Sequence, residues 1–185
     1  SGGRDAYHHL VLLARNEAGY RNLTRLVTAA HLDGYYYKPR IDKELLATHR
    51  EGLIALSGCL ASEIPSLIGD DQLDRARDAV DWFKQTLGAE NFFLELQDHG
   101  IAEQAKVNRH LIPWAKEFGL NLVATNDVHY LERGHWTAHD CLVCLGRQTT
   151  RDDPKPRYQP EQFYLRSADE MAALFAEVPE AVRNT

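Results

Sequence analysis

The chain has 185 residues, of which 44% are hydrophobic and 26% charged, with a formal net charge of −6. That length carries one domain with a sizeable core, and the acidic balance excludes a dedicated nucleic-acid clamp more firmly than a nuclease, because metals can neutralise a phosphodiester. No apolar run is long enough to cross a bilayer, SGGRDAYHH has no signal-peptide core, and three cysteines make no disulfide framework, so a soluble cytoplasmic chain is expected.

In chain order, HLVLLA (9–14) reads as a strand. Asn16 sits where an N-cap belongs, before a helix to Leu32 with the stripe Leu23, Leu26, Val27 and Ala30. A loop follows over 34–40, and Asp42 caps a short helix through Thr48. LIAL (53–56) is a second strand, with a short helix from about Ala61. Asp70 and Asp71 are read as opening the next helix, whose stripe is Leu73, Ala76, Val80, Phe83 and Leu87 and whose stop is Gly88. Residues 92–96 form a third strand. A helix over 101–118 is assigned Ile101, Ala105, Leu111, Ile112, Ala115 and Phe118 as its buried face, and 122–124 form a fourth strand.

Strands that are solidly apolar and alternate with helices point to an α/β fold with parallel strands buried on both faces. After Tyr130 the pattern changes to a helix around 135–145, a charged loop over 151–160, the run 163–165, a helix capped by Ser167 and a final turn opened by Pro179.

Sites in parallel α/β folds gather at the carboxyl ends of strands. Cys59 follows the second strand after Ser57–Gly58, and Asp127 and His129 follow the fourth. In extended backbone, residues two apart share a side, so Asp127 and His129 can converge on one ion, and Asp, His and Cys are all zinc ligands. A D-x-H pair is also common as a cap plus a surface histidine, and a lone Cys is usually a small core residue. Cys141 and Cys144 make a C-x-x-C, but a helix places them on one face, so both are expected to face the interior without binding metal. His135, His139 and Asp140 are assigned surface or capping roles, His31, His49 and His110 solvent or core contacts, and His99 a turn beside Gly100. Lys38 and Arg40 in YYYKPR read either as a nucleic-acid contact with stacking tyrosines or as a loop packed by those tyrosines.

The segments HHLVLLARNEAGYRNL, YYYKPRID, EGLIALSGCLASEI, NFFLELQDHG, VATNDVHYL and FYLRSADEM, in this order, resemble bacterial DNA polymerase III alpha subunits along nearly the whole chain. The resemblance is to their PHP (polymerase and histidinol phosphatase) domain. It implies part of a distorted (β/α)7 barrel, TIM-barrel-like, with the N-terminal strands missing. Residues 1–132 would be the later part of that domain, and 133–185 the exit helices leading toward the polymerase palm.

By the same resemblance His9, Cys59, Asp127 and His129 are metal ligands, for zinc or manganese, with magnesium a further fit. An H-x-H, an aspartate, a histidine and a glutamate of the family's ligand set would lie upstream. His9 stands at the beginning of its strand, the wrong end for a parallel site, and joins the others only if that strand runs antiparallel or the chain bends. The implied function is a metal-dependent phosphoesterase with 3′–5′ exonuclease proofreading inside a replicative polymerase, with DNA and other replicase subunits as partners and no membrane. A non-catalytic scaffold that docks a proofreading subunit is the alternative, and a free-standing PHP phosphatase a third reading. No paired polymerase aspartates are recognisable, so nucleotidyl transfer would reside downstream.

Overall fold

The computed structural model describes residues 7–152 and 160–185. The elements run β1 (Val11–Ala14), α1 (Glu17–Leu32), α2 (Lys43–Thr48), β2 (Leu53–Leu56), α3 (Glu63–Gly69), α4 (Leu73–Leu87), β3 (Phe92–Leu96), α5 (Ala102–Phe118) and β4 (Asn121–Ala124). A 3-10 turn at Arg133–His135 leads into α6 (Trp136–Arg147), and α7 (Ala168–Leu174) and α8 (Pro179–Arg183) close the chain. Most of the expected 151–160 loop lies outside the described residues.

Local chemistry sets several boundaries. Asn16 accepts the Gly19 amide at 2.9 Å, Asp42 accepts the Leu45 amide at 2.8 Å, and Ser167 forms a reciprocal capping box with Glu170. Each side chain satisfies a backbone N–H that the first helical turn leaves without a partner. The expected opening of α4 at Asp70 and Asp71 is corrected: Asp70 caps the C-terminus of α3, and Asp71 turns the chain with φ of 58° before α4 begins at Leu73.

The four strands form one sheet in the order β1-β2-β3-β4. β2, β3 and β4 are parallel, as two helix crossovers dictate, whereas β1 runs antiparallel to β2 with Val11 opposite Leu56 and Ala14 opposite Leu53. Alternation along the strands places Leu53, Ala55, Phe92, Leu94, Leu96, Leu122 and Ala124 on one face. All are buried there, in a core shared with α3, α4, α5 and α8. The other face holds Val11 and Leu13, both exposed, then half-buried Ile54 and Phe93, and finally buried Glu95 and Val123. The expectation of strands buried on both faces therefore fails at β1.

On α5 the buried face is Gln104, Val107, Leu111, Trp114 and Ala115 rather than the stripe through Ala105 and Ile112. Gln104 is drawn inward because its amide serves the His99 backbone N–H at 2.8 Å and Gln97 at 3.4 Å. Residues after Tyr130 pack on the same core: Phe175, Val178 and Ala181 join it, and Asn184 Nδ2 donates to the Leu122 carbonyl at 2.8 Å. Residues 163–165 make only an isolated bridge, Tyr164 to Tyr130.

Candidate metal centre

β2 ends in a turn that needs Gly58, whose φ is 80° and whose missing Cβ leaves room for the Ser62 side chain. The turn presents Cys59, half-exposed, before Ser62 begins α3. Because β1 is antiparallel, its first residues lie beside this same end of β2. The His9 amide donates to the Ala61 carbonyl at 3.2 Å, and His9 Nδ1 stands 3.7 Å from Cys59 Sγ. The Tyr7 ring stacks against the His9 ring at 6.4 Å between centroids. The apparent wrong end of the strand for His9 is the right end once the strand is reversed.

At the end of β4 a second pair forms. Asp127 Oδ1 lies 3.4 Å from His129 Nε2. Their approach does not come from extended backbone, as the two-residue spacing suggests. Asp127 has φ of 41°, a left-handed conformation that Asp tolerates better than most residues, so a turn folds the two side chains together. The His129 amide donates to the Phe163 carbonyl at 2.8 Å, and its ring meets Phe163 and His139 edge-on at 5.0 and 5.2 Å. Burial first, and then His129, holds the His139 imidazole below its ordinary pKa.

The two pairs share one end of the sheet, but β3 separates their strands, a distance of about 10 Å across two strand spacings. Among the described residues no three His, Cys, Asp or Glu side chains are grouped closely enough to hold a metal ion. The donors fit a divalent ion in kind, as imidazole, thiolate and carboxylate, but they arrive two at a time.

Between the pairs stands a carboxylate that the sequence reading passed over. Glu95 is buried on β3, its amide donates to the Ser57 hydroxyl oxygen at 2.8 Å, and its Oε1 accepts from Thr125 Oγ1 and from Gln97 Nε2 at 3.1 Å. Its Oε2 is buried with no hydrogen-bond partner among the described residues. An acid inside the apolar run FFLEL is a signal that could have exposed it, since buried acids are rare unless paired or bound to metal.

Other candidates resolve differently. His99 is fully buried, stacks on Phe163 at 4.1 Å, and pairs Nε2 with the Asn126 carbonyl at 2.9 Å, so it ties β3 to β4 from within. Cys144 is buried but Cys141 is exposed, correcting the expectation that both face inward. The buried stripe of α6 runs through Asp140 and Cys144, four apart, and leaves Cys141 to one side. Asp140 is not a surface group either: it is buried and ion-paired with Arg151 at 3.2 Å. His31 and His49 each turn Nδ1 to the carbonyl four residues earlier, at 2.8 and 3.1 Å. Arg166, within FYLRS, reaches the Asp98 carbonyl at 3.3 Å, Asn126 Oδ1 at 3.0 Å and Gln162 Oε1 at 2.8 Å, fastening this segment over the ends of β3 and β4.

A family model described as the PHP domain matches residues 1–99, more than half of the chain. The chain belongs to the PHP domain family. Its relatives include proteins named DNA polymerase III subunit alpha from Treponema pallidum, 46% identical over 97% of this chain and 15% of the relative. Those of Thermus aquaticus (46% identical over 92% of this chain and 14% of the relative) and Borreliella burgdorferi (43% over 96% and 16%) are similar in the same way. The chain thus spans about 15% of the length of the curated relatives it matches. No helix among the described residues of this PHP chain is long and apolar enough to cross a membrane.

Proposed function

We propose that this chain is the later part of the PHP domain of a replicative DNA polymerase alpha subunit, and that the domain acts as a metal-dependent phosphoesterase with 3′–5′ exonuclease activity. The observation that carries the reading is the antiparallel β1, which delivers His9 to Cys59 at the sheet end that also holds Asp127 and His129. Two half-sites of two donors each fit a centre whose remaining ligands come from further strands of a distorted (β/α)7 barrel. The exposed row Val11 and Leu13 on the open face suits a sheet that continues in that way. Residues 1–132 would carry this domain and 133–185 the exit toward the palm, although both share one core.

Zinc or manganese, or magnesium, bound by these residues would supply charge to orient a phosphodiester and lower the pKa of a nucleophilic water. The chain's own part is to place the donors. Gly58 aims Cys59, the Asp127 turn folds that carboxylate onto His129, and Phe163 fixes the His129 backbone. DNA and other replicase subunits would be the partners of the whole protein, in the cytoplasm.

A second reading is a non-catalytic scaffold that stabilises the polymerase and docks a proofreading subunit. The deciding experiment measures nucleotide release from the 3′ end of single-stranded DNA by a polypeptide extended upstream through the rest of the PHP domain. Chelator-sensitive release that Asp127→Asn abolishes supports the enzyme. Release unaffected by that change, or no release with metals present, contradicts it.

A further inference from the structure

We propose that the loop over residues 34–40 is a stacking platform for single-stranded nucleic acid, which leads a strand toward His9. Tyr35, Tyr36 and Tyr37 are consecutive and remain 61%, 58% and 81% exposed, so although Tyr36 and Tyr37 pack on each other as the alternative reading of the loop has it, much of each ring still faces solvent. Single exposed aromatics are ordinary, but three in a row form a patch whose flat faces suit bases of any sequence. Their arrangement is specific. Tyr36 and Tyr37 meet edge to face at 4.6 Å, the Tyr36 amide donates to the Lys38 carbonyl at 3.0 Å, and Tyr37 is held at φ of 60°, a conformation a bulky residue rarely adopts.

Charge complements the rings. Lys38 and Arg40 flank Pro39 with no acid between Gly34 and Ile41, and the Arg40 guanidinium lies 4.8 Å over the Tyr36 ring. This places cationic groups beside stacking faces, as a phosphate backbone with splayed bases requires. Pro39 and Arg40 of the loop also line a groove of about 640 Å³ that reaches His8 and His9; its floor is largely apolar, and its Lys43 is ion-paired with Glu63 at 2.7 Å, which leaves Arg40 and the two histidines at its mouth. A strand stacked on the tyrosines is thereby directed to the side of the candidate centre that His9 occupies. The net charge of −6 does not oppose this, because the contact is local and small.

The inference deepens the phosphoesterase reading by assigning the place where its single strand is held, and it rests on that reading only for the destination of the strand. Its test is therefore made without metal: fluorescence anisotropy of an end-labelled oligothymidylate titrated with the 185-residue chain in EDTA, at several salt concentrations. Saturable binding that weakens with salt is expected. Tyr35→Ala and Tyr37→Gly should each weaken it roughly tenfold, Tyr36→Phe should preserve it, and Lys38→Ala should lower the salt slope by about 0.7 if one phosphate contact is lost. The tyrosines are exposed, so circular dichroism should stay at wild-type values and no variant should lose stability, while Tyr37→Gly, which relieves the left-handed backbone, should raise the unfolding midpoint. No saturable binding, equal binding by the folded tyrosine variants, or capture of a protein partner but not the oligonucleotide would overturn the platform. Binding retained in a protein that proves unable to hydrolyse DNA would leave the platform standing and remove the phosphoesterase.

Discussion

Cys59 Sγ and His9 Nδ1 stand 3.7 Å apart across fifty residues of sequence because β1 runs against β2. If this pair contributes to one metal centre, cobalt(II) bound by the upstream-extended polypeptide should show thiolate-to-metal charge-transfer absorption. Cys59→Ser should abolish the band, and His9→Gln should weaken cobalt affinity by about 10- to 100-fold if the imidazole only orients the thiolate, and by more if it ligates. A band that survives Cys59→Ser would place the thiolate elsewhere.

Glu95 makes a separate prediction. One of its oxygens is paired with Thr125 and Gln97, while the other is buried without a hydrogen-bond partner among the described residues. Leaving a buried polar atom unpaired costs about 1–3 kcal/mol, more when it is charged. Glu95→Gln keeps the accepting oxygen and removes the charge, so in EDTA its urea unfolding free energy should rise by about 1 kcal/mol or more. A fall of that size would show that the second oxygen is better satisfied than the geometry indicates.

Gly19 marks the closest approach between α1 and the turn before β2. A Cβ there would strike the Gly52 carbonyl, which also accepts from the Arg15 amide at 2.8 Å. Asn22 Nδ2 fixes the same turn by donating to the Glu51 carbonyl at 2.9 Å. Gly19→Ala should therefore destabilise by about 1–3 kcal/mol despite the better helix propensity of alanine. Chemical denaturation that shows an unchanged or raised stability would mean the turn yields without cost.

These contacts show which features were legible in the sequence. Strand positions could be read because their apolar runs are solid, and the caps at Asn16, Asp42 and Ser167 because a short polar side chain before an apolar period has one obvious use. The direction of β1 could not be read, since it depends on where α1 and α2 return the chain rather than on any local pattern. The phase of α5 was misleading because buried Gln104 is a polar residue drawn inward by His99 and Gln97 in the turn just before the helix, which an apolar stripe does not register. The four candidate ligands were visible as residue types. Glu95 was marked only by its place in the apolar run FFLEL, and its partners could not be read, because Ser57 and Thr125 stand just past the ends of the two neighbouring strands.

The cap of α7 should respond to acid. The Tyr164 hydroxyl first, then the Ser167 backbone and hydroxyl, hold the Glu170 carboxyl at about 2, against an ordinary value of 4.5. A depressed folded pKa means this contribution is complete above 4.5 and is lost as pH falls toward 2. A carboxyl NMR titration should find Glu170 well below 4.5, and Tyr164→Phe should move it upward. A titration at the ordinary value would mean that the capping box does not persist in solution.

Metal stoichiometry tests the central claim most directly. Zinc and manganese contents should be measured after dialysis for the 185-residue chain, for the polypeptide extended upstream through the rest of the PHP domain, and for Cys59→Ser and Asp127→Asn in the longer form. Two half-sites of two donors each, at the ends of strands that β3 separates, predict little retained metal in the short chain, stoichiometric metal in the long one, and loss in both variants. Stoichiometric metal in the 185-residue chain alone, or full metal in the longer form without Cys59 and Asp127, would contradict the account.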